Sequence, residues 1–207
     1  MGRTSTAKSR LITTAMELMY VRGYTAVGVH EICLQAGVHK GSFYHFFPSK
    51  QALVLAVIET YGQHIRRLWE DSMRADGSLR ERLQHVFAHT YRAHCALLAG
   101  SGQLYGCPLG NLALELGSQD PVVRQKLYDM FAAWARVLEH SLREEMARGT
   151  LPALDPVTTA QTVVAYFEGV IMLAKTQNAP EVITQLAHGA VALVEAAAGA
   201  ARSSEHG

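Results

Sequence analysis

Residues 29–47 read VHEICLQAGVHKGSFYHFF. The stretch divides into two short helical runs, Val29 to Ala36 and Lys40 to Phe47, joined by a tight turn containing Gly37. Those are the dimensions of a helix-turn-helix. Ile32 and Ala36 are expected to pack inward from the first run, and Val38 and Phe43 from the turn and the second. That leaves Lys40, Ser42, Tyr44 and His45 facing outward: hydrogen-bond donors and one aromatic ring, suited to the phosphates and base edges of a duplex. Gly41 permits close approach of the backbone. Lys50 opens the following helix, where free backbone amides also favour a phosphate. For His39 and His45, ordinary solvated surface is the competing reading.

Charge points the same way. The net charge of +1 conceals six Lys/Arg against two Glu in residues 1–50, and thirteen Lys/Arg against sixteen Asp/Glu in residues 51–207. A basic N-terminal piece on a slightly acidic body fits a polyanion partner for the first piece only, although so modest an imbalance also arises by chance. Three cysteines at irregular spacing make no disulfide framework and fit a reducing compartment. Met1 to Lys8 contain no apolar signal core, and Glu168 interrupts the best candidate for a membrane span, so a cytoplasmic location is expected.

The rest of the chain reads as helix. No segment alternates apolar and polar residues over a strand-like length. A first helix is expected from about Thr6 to Arg22, with Leu11, Ala15, Leu18 and Met19 as its apolar stripe and Gly23 as its stop. Ser49 can cap a long helix from Lys50 to about Asp76, and Ser78 another as far as the Gly100–Gly102 break. A short apolar segment covers Leu104 to Leu116. Asp120-Pro121 and Asp155-Pro156 each pair a cap with a first-turn proline, starting helices to about Arg148 and Asn178. Pro180 opens the last helix, and the tail from Ser203 is expected to fray. The last two helices are apolar nearly all round and need covering on both faces. A second subunit forming a four-helix interface is the simplest cover, with a well-buried monomer core as the alternative.

The pattern Gly23-Tyr24, Val29, Ile32, Ala36-Gly37-Val38, Lys40-Gly41-Ser42-Phe43-Tyr44-His45-Phe46-Phe47 and Ser49-Lys50 resembles the DNA-binding domain of the tetracycline-repressor-like (TetR) family over about residues 6–52. The resemblance implies an all-α homodimer. A three-helix DNA-binding domain (residues 1–52) would precede a ligand-binding and dimerisation domain of about six helices (residues 53–207). It also implies phosphate contacts from Tyr44 and Lys50, with Lys40, Ser42 and His45 at or near base edges. Two departures matter. Val27 and Gly28 stand where the family usually has two threonines, and His39 stands where it often has a capping serine. Arg3, Lys8 and Arg10 could follow the minor groove, though for Arg3 a disordered tail is the plainer reading.

In the second domain, Gly106-Cys107 with Asn111-Leu112 and Glu115 resembles a branch of the same family carrying Gly-Cys-x-x-x-Asn-Leu-x-x-Glu. In that branch a lysine often lies late in the penultimate helix, and Lys175 stands there. Some members respond to electrophiles or oxidants through the cysteine with the lysine beside it, and others bind small acids. A thiolate is the reactive form, and a neighbouring ammonium promotes it. Against this, Cys107 also reads as a small buried core residue, and Lys175 as a cation at a helix C-terminus. Cys33 and Cys95 read as inert. Tyr91, His94, Trp134, Tyr166 and Phe167 can line a ligand pocket or simply fill the core.

The function expected is therefore a ligand-responsive regulator, a repressor binding palindromic operator DNA. A small-molecule effector would release it, either covalently at Cys107 or in a reversible pocket. A thiol enzyme using Cys107 and Lys175 is the rival class, but no nucleophile–base–orienter set accompanies it; a protein-interaction module built on the last helices is a third. No cofactor or catalytic residue is expected, and no metal: His85 and His89 have ligand-like i,i+4 spacing, but His94 lies on the opposite side of the wheel.

Overall fold

The structure is a computed structural model that describes residues 2–204, with side chains from 6 to 200. Arg3's side chain and the tail residues Glu205 to Gly207 lie outside the described residues. The described chain is all helical: α1 Gly2–Arg22, α2 Val29–Gln35, α3 Lys40–Phe46, α4 Lys50–Arg74, α5 Leu79–Ser101, α6 Pro108–Leu116, α7 Pro121–Ala147, α8 Pro156–Gln177 and α9 Glu181–Ser204. Helix breaks fall where local chemistry places them. Ser49 Oγ accepts the Ala52 N–H at 3.0 Å. Ser78 and Glu81 cap α5 reciprocally, a capping box. Asp120 Oδ1 accepts from Val122 and Val123 at 3.0 Å, and Asp155 Oδ1 from Val157 at 3.0 Å. α8 ends at Asn178 in the left-handed region, φ 51°, with its Oδ1 accepting the Leu104 N–H at 2.8 Å.

The chain forms two compact units. The first comprises residues 1–63 and 107–130, the second residues 64–106 and 131–207. This grouping is not a cut after residue 52, because α6, the start of α7 and the first half of α4 pack with the N-terminal helices. Gln51 Nε2 donates to Asp120 at 2.7 Å, and Lys126 pairs with Glu59. Gly62 lies so close to Met130 that a Cβ would sit 2.6 Å from its sulfur. The first unit's core includes Leu11, Ala15, Met19, Ile32, Phe43, Leu53, Val57, Leu109, Leu112 and Val123. Leu18, expected in the α1 stripe, is only half-buried.

In the second unit, Trp69, Phe87 and Phe167 meet edge to face, with centroids 5.5 and 5.4 Å apart. Arg82, 5% exposed, pairs with Glu145 and donates to the Met73 carbonyl at 2.9 Å and Ser141 Oγ at 3.2 Å, so α4, α5 and α7 meet on one guanidinium. α9 packs on α8 and α5. Both α8 and α9 are long and apolar enough to cross a membrane by length and composition, yet each turns a buried face into this bundle. On the other side of α8, Met172 and Leu173 remain exposed.

Candidate nucleic-acid interface and effector site

α2 and α3 are held from beneath. Ile32 and Phe43 are fully buried, and Ala36, Val38 and Phe47 nearly so. The Phe43 ring stands 5.9 Å from Phe47 and 5.1 Å, edge on, from Tyr44. With that face anchored, Lys40, Gly41, Ser42, Tyr44 and His45 all point to solvent, Tyr44 at 51% exposure. A Cβ on Gly41 would meet no atom within 4 Å, so the fold itself leaves room there. Gly28 and His39 are the N-caps of α2 and α3, and neither makes a side-chain cap hydrogen bond.

The other basic residues are placed differently. Lys50 is half-buried and turned inward. Its ammonium donates to the Tyr24 carbonyl and lies 3.9 Å from the centre of the Tyr24 ring. Burial pushes its pKa down, partly opposed by the Glu115 carboxylate. Lys8 lies 5.7 Å over the Phe47 ring, and Arg10 Nη2 donates to Gly37 at 3.4 Å, so both brace the motif from α1. Glu115, on α6, accepts the Tyr24 N–H at 2.8 Å and the Thr25 N–H at 2.7 Å. Burial raises its pKa, but the Thr25 and Tyr24 hydrogen bonds and Lys50 outweigh that and hold it below the usual range.

Cys107 is the N-cap of α6, 7% exposed, and its Sγ accepts the Gly110 N–H at 3.4 Å. It belongs to the first unit. Lys175 is exposed near the end of α8, in the second. The other pocket candidates lie in the second unit. His94 is buried, with Nδ1 donating to the Thr90 carbonyl at 2.8 Å, and burial pushes its pKa down, favouring the neutral ring. Trp134 is fully buried, edge on to Phe131 at 5.1 Å. Tyr91 is half-buried, its hydroxyl hydrogen-bonded to Cys95, which raises its pKa. Tyr166 donates its hydroxyl to the Leu186 carbonyl at 2.8 Å, and a Cβ at Gly189 would come within 2.1 Å of that oxygen. Tyr166 thus clamps α8 to α9. His64 and His85 both lie near enough to His89 to help lower its pKa, after burial and Arg92, yet no three His, Cys, Asp or Glu side chains among the described residues are grouped to hold a metal ion.

Comparison with known proteins matches residues 11–57 to "Bacterial regulatory proteins, tetR family" and residues 81–190 to "Tetracyclin repressor-like, C-terminal domain". The chain belongs to the TetR family. It is similar to the transcriptional regulator AcuR of Cereibacter sphaeroides, 36% identical over 86% of this chain and 80% of that one. It is also similar to the repressor NemR of Escherichia coli, 28% identical over 87% of this chain and 90% of that one. A crystal structure of a TetR regulatory protein from Rhodobacter sphaeroides superposes with a TM-score of 0.73 at 33% identity, covering 88% of this chain and 96% of that one. The protein is accordingly a TetR-family transcriptional regulator, with an N-terminal helix-turn-helix for DNA and a C-terminal ligand-binding domain.

Within that TetR frame, sequence reading missed Glu115 as a structural partner of the α1–α2 turn. The residue stood in the quoted motif, but no pattern in the chain links positions 90 residues apart. The Arg82–Glu145 pair was missed for the same reason.

Proposed function

We propose that this regulator is a homodimeric, cytoplasmic repressor that reads a palindromic operator with α3 and is released by a small molecule acting at Cys107. The observation carrying the DNA part is the split of α3: Phe43 buried beneath, Lys40, Ser42, Tyr44 and His45 exposed above. Phosphates and base edges need such donors on a rigid helix. Residues 1–52 form the reading head, and two heads must stand about 34–36 Å apart to enter successive major grooves. Lys50 reaches a phosphate only after leaving Tyr24. The exposed apolar face of α8, with Met172 and Leu173, is the surface a second subunit would cover.

The thiol reading of Cys107 is supported by its position at the head of α6, where backbone N–H groups favour negative charge on sulfur. Lys175 is its proposed companion by family resemblance. A reversible pocket is the second reading, favoured by the buried His94 and Trp134 of the second unit, with Tyr91 three residues before His94 on α5. Titration of a palindromic duplex at several salt concentrations tests the first claim: log K falls linearly with log salt if phosphates are engaged. Release of that duplex by iodoacetamide, lost in Cys107→Ser, supports the thiol sensor. Unaltered release in Cys107→Ser leaves the reversible pocket instead.

A further inference from the structure

α6 has a chemical handle at each end. At its head, Cys107 caps the first turn through the Gly110 N–H, and Pro108 follows at the first helical position. At its foot, Glu115 reaches the turn that joins α1 to α2. Its two carboxylate oxygens accept the two successive N–H groups of Tyr24 and Thr25. The turn is shaped for that carboxylate. Gly23 has φ +83°, and a Cβ there would lie 3.0 Å from Glu115 Oε2. Lys50 closes the arrangement by donating to the Tyr24 carbonyl. Between the ends, Leu109, Leu112 and Leu116 are buried along one face, so the nine-residue helix is packed to move as a body. Head, foot and turn all belong to the first compact unit.

We propose that Glu115 is the positioning residue through which α6 sets the helix-turn-helix, so that a change at Cys107 alters DNA affinity by moving the carboxylate on the 23–25 turn. This rests on the reading of Cys107 as the sensor. The physical reason is stiffness. A group added to a sulfur that is 7% exposed has no room unless the first turn of α6 gives way. A short packed helix transmits that displacement to its other end. The turn has no other described acceptor for its two N–H groups, and α2 and α3 follow directly from it.

The test uses full-length dimer and iodoacetamide as the probe. The thiolate sulfur displaces iodide, an S–C bond forms as C–I breaks, and the thiol proton goes to solvent; nothing is oxidised or reduced. Operator affinity is measured before and after alkylation, with peptide mass spectrometry confirming modification of Cys107, for wild type and Glu115→Gln. The expected result is a Kd raised at least tenfold by alkylation in wild type and less than threefold in the variant, at equal modification. A purely structural role would change both Kd values of the variant and preserve their ratio. An equal ratio in the two proteins overturns the Glu115 proposal while leaving the sensor intact. Wild type that is alkylated at Cys107 yet stays bound overturns the sensor, and the proposal with it. Should Glu115→Gln fail to fold by circular dichroism, Glu115→Asp serves. It keeps the charge near Lys50 but falls one methylene short of the two N–H groups, and the same ratio decides.

Discussion

At the scale of single residues, α3 divides its side chains by one property, whether the neighbouring core can cover them. Tyr44 lies against the buried Phe43 only edge on, so its hydroxyl and half its surface stay outside. Tyr44→Ala should weaken operator binding about tenfold or more, a loss of roughly 1.4 kcal/mol, while the thermal midpoint barely moves; gel shift and melting measure the two effects separately. Gly23 makes the opposite kind of demand. With φ +83° and Glu115 against it, Gly23→Ala should cost about 1–2 kcal/mol in urea unfolding. Lys50 shows where residue-level reading ends. Its place beside the motif was legible, but its inward turn onto Tyr24 depends on a ring and a carbonyl 26 residues back.

At the scale of elements, helix starts were legible because caps are local. Ser49, Ser78, Asp120 and Asp155 each act within three residues of their own position. What binds one helix to another was not. Arg82 and Glu145 stand 63 residues apart, and nothing in either stretch announces the pair. Glu145→Gln should destabilise by about 3–5 kcal/mol, since the buried guanidinium would lose its counter-charge. The pair also predicts a pH dependence. Thr150, despite the opposing effect of burial, together with Arg82 and Arg148 holds the Glu145 carboxyl below its ordinary value. Its contribution is therefore complete above the unfolded carboxylate pKa of about 4.3 and lost as pH falls through the depressed folded value. Glu115 follows the same sign. Unfolding free energy measured from pH 6 down to pH 3 should fall below about pH 4.5, and less steeply in Glu145→Gln.

At the scale of the whole molecule, the outer side of α8 is an apolar surface that the single chain leaves open. Met172 at 51% and Leu173 at 42% exposure lie on a helix whose other side is core. If a second subunit covers them, Met172→Glu should shift sedimentation from dimer to monomer and remove operator affinity with it, because two reading helices on one duplex are needed for tight binding. A dimer that survives the substitution places the interface elsewhere.

The helix count, the caps and the outward face of α3 follow from chemistry acting over a few residues, and the chain carries that information in order. Tertiary structure alone decided that Glu115 would meet the turn after α1, that Lys50 would fold inward, and that Tyr166 would clamp two helices. Each depends on groups 20 to 91 residues apart. Contacts over such distances are chosen by the packing of the buried faces as a set, which no local stretch specifies.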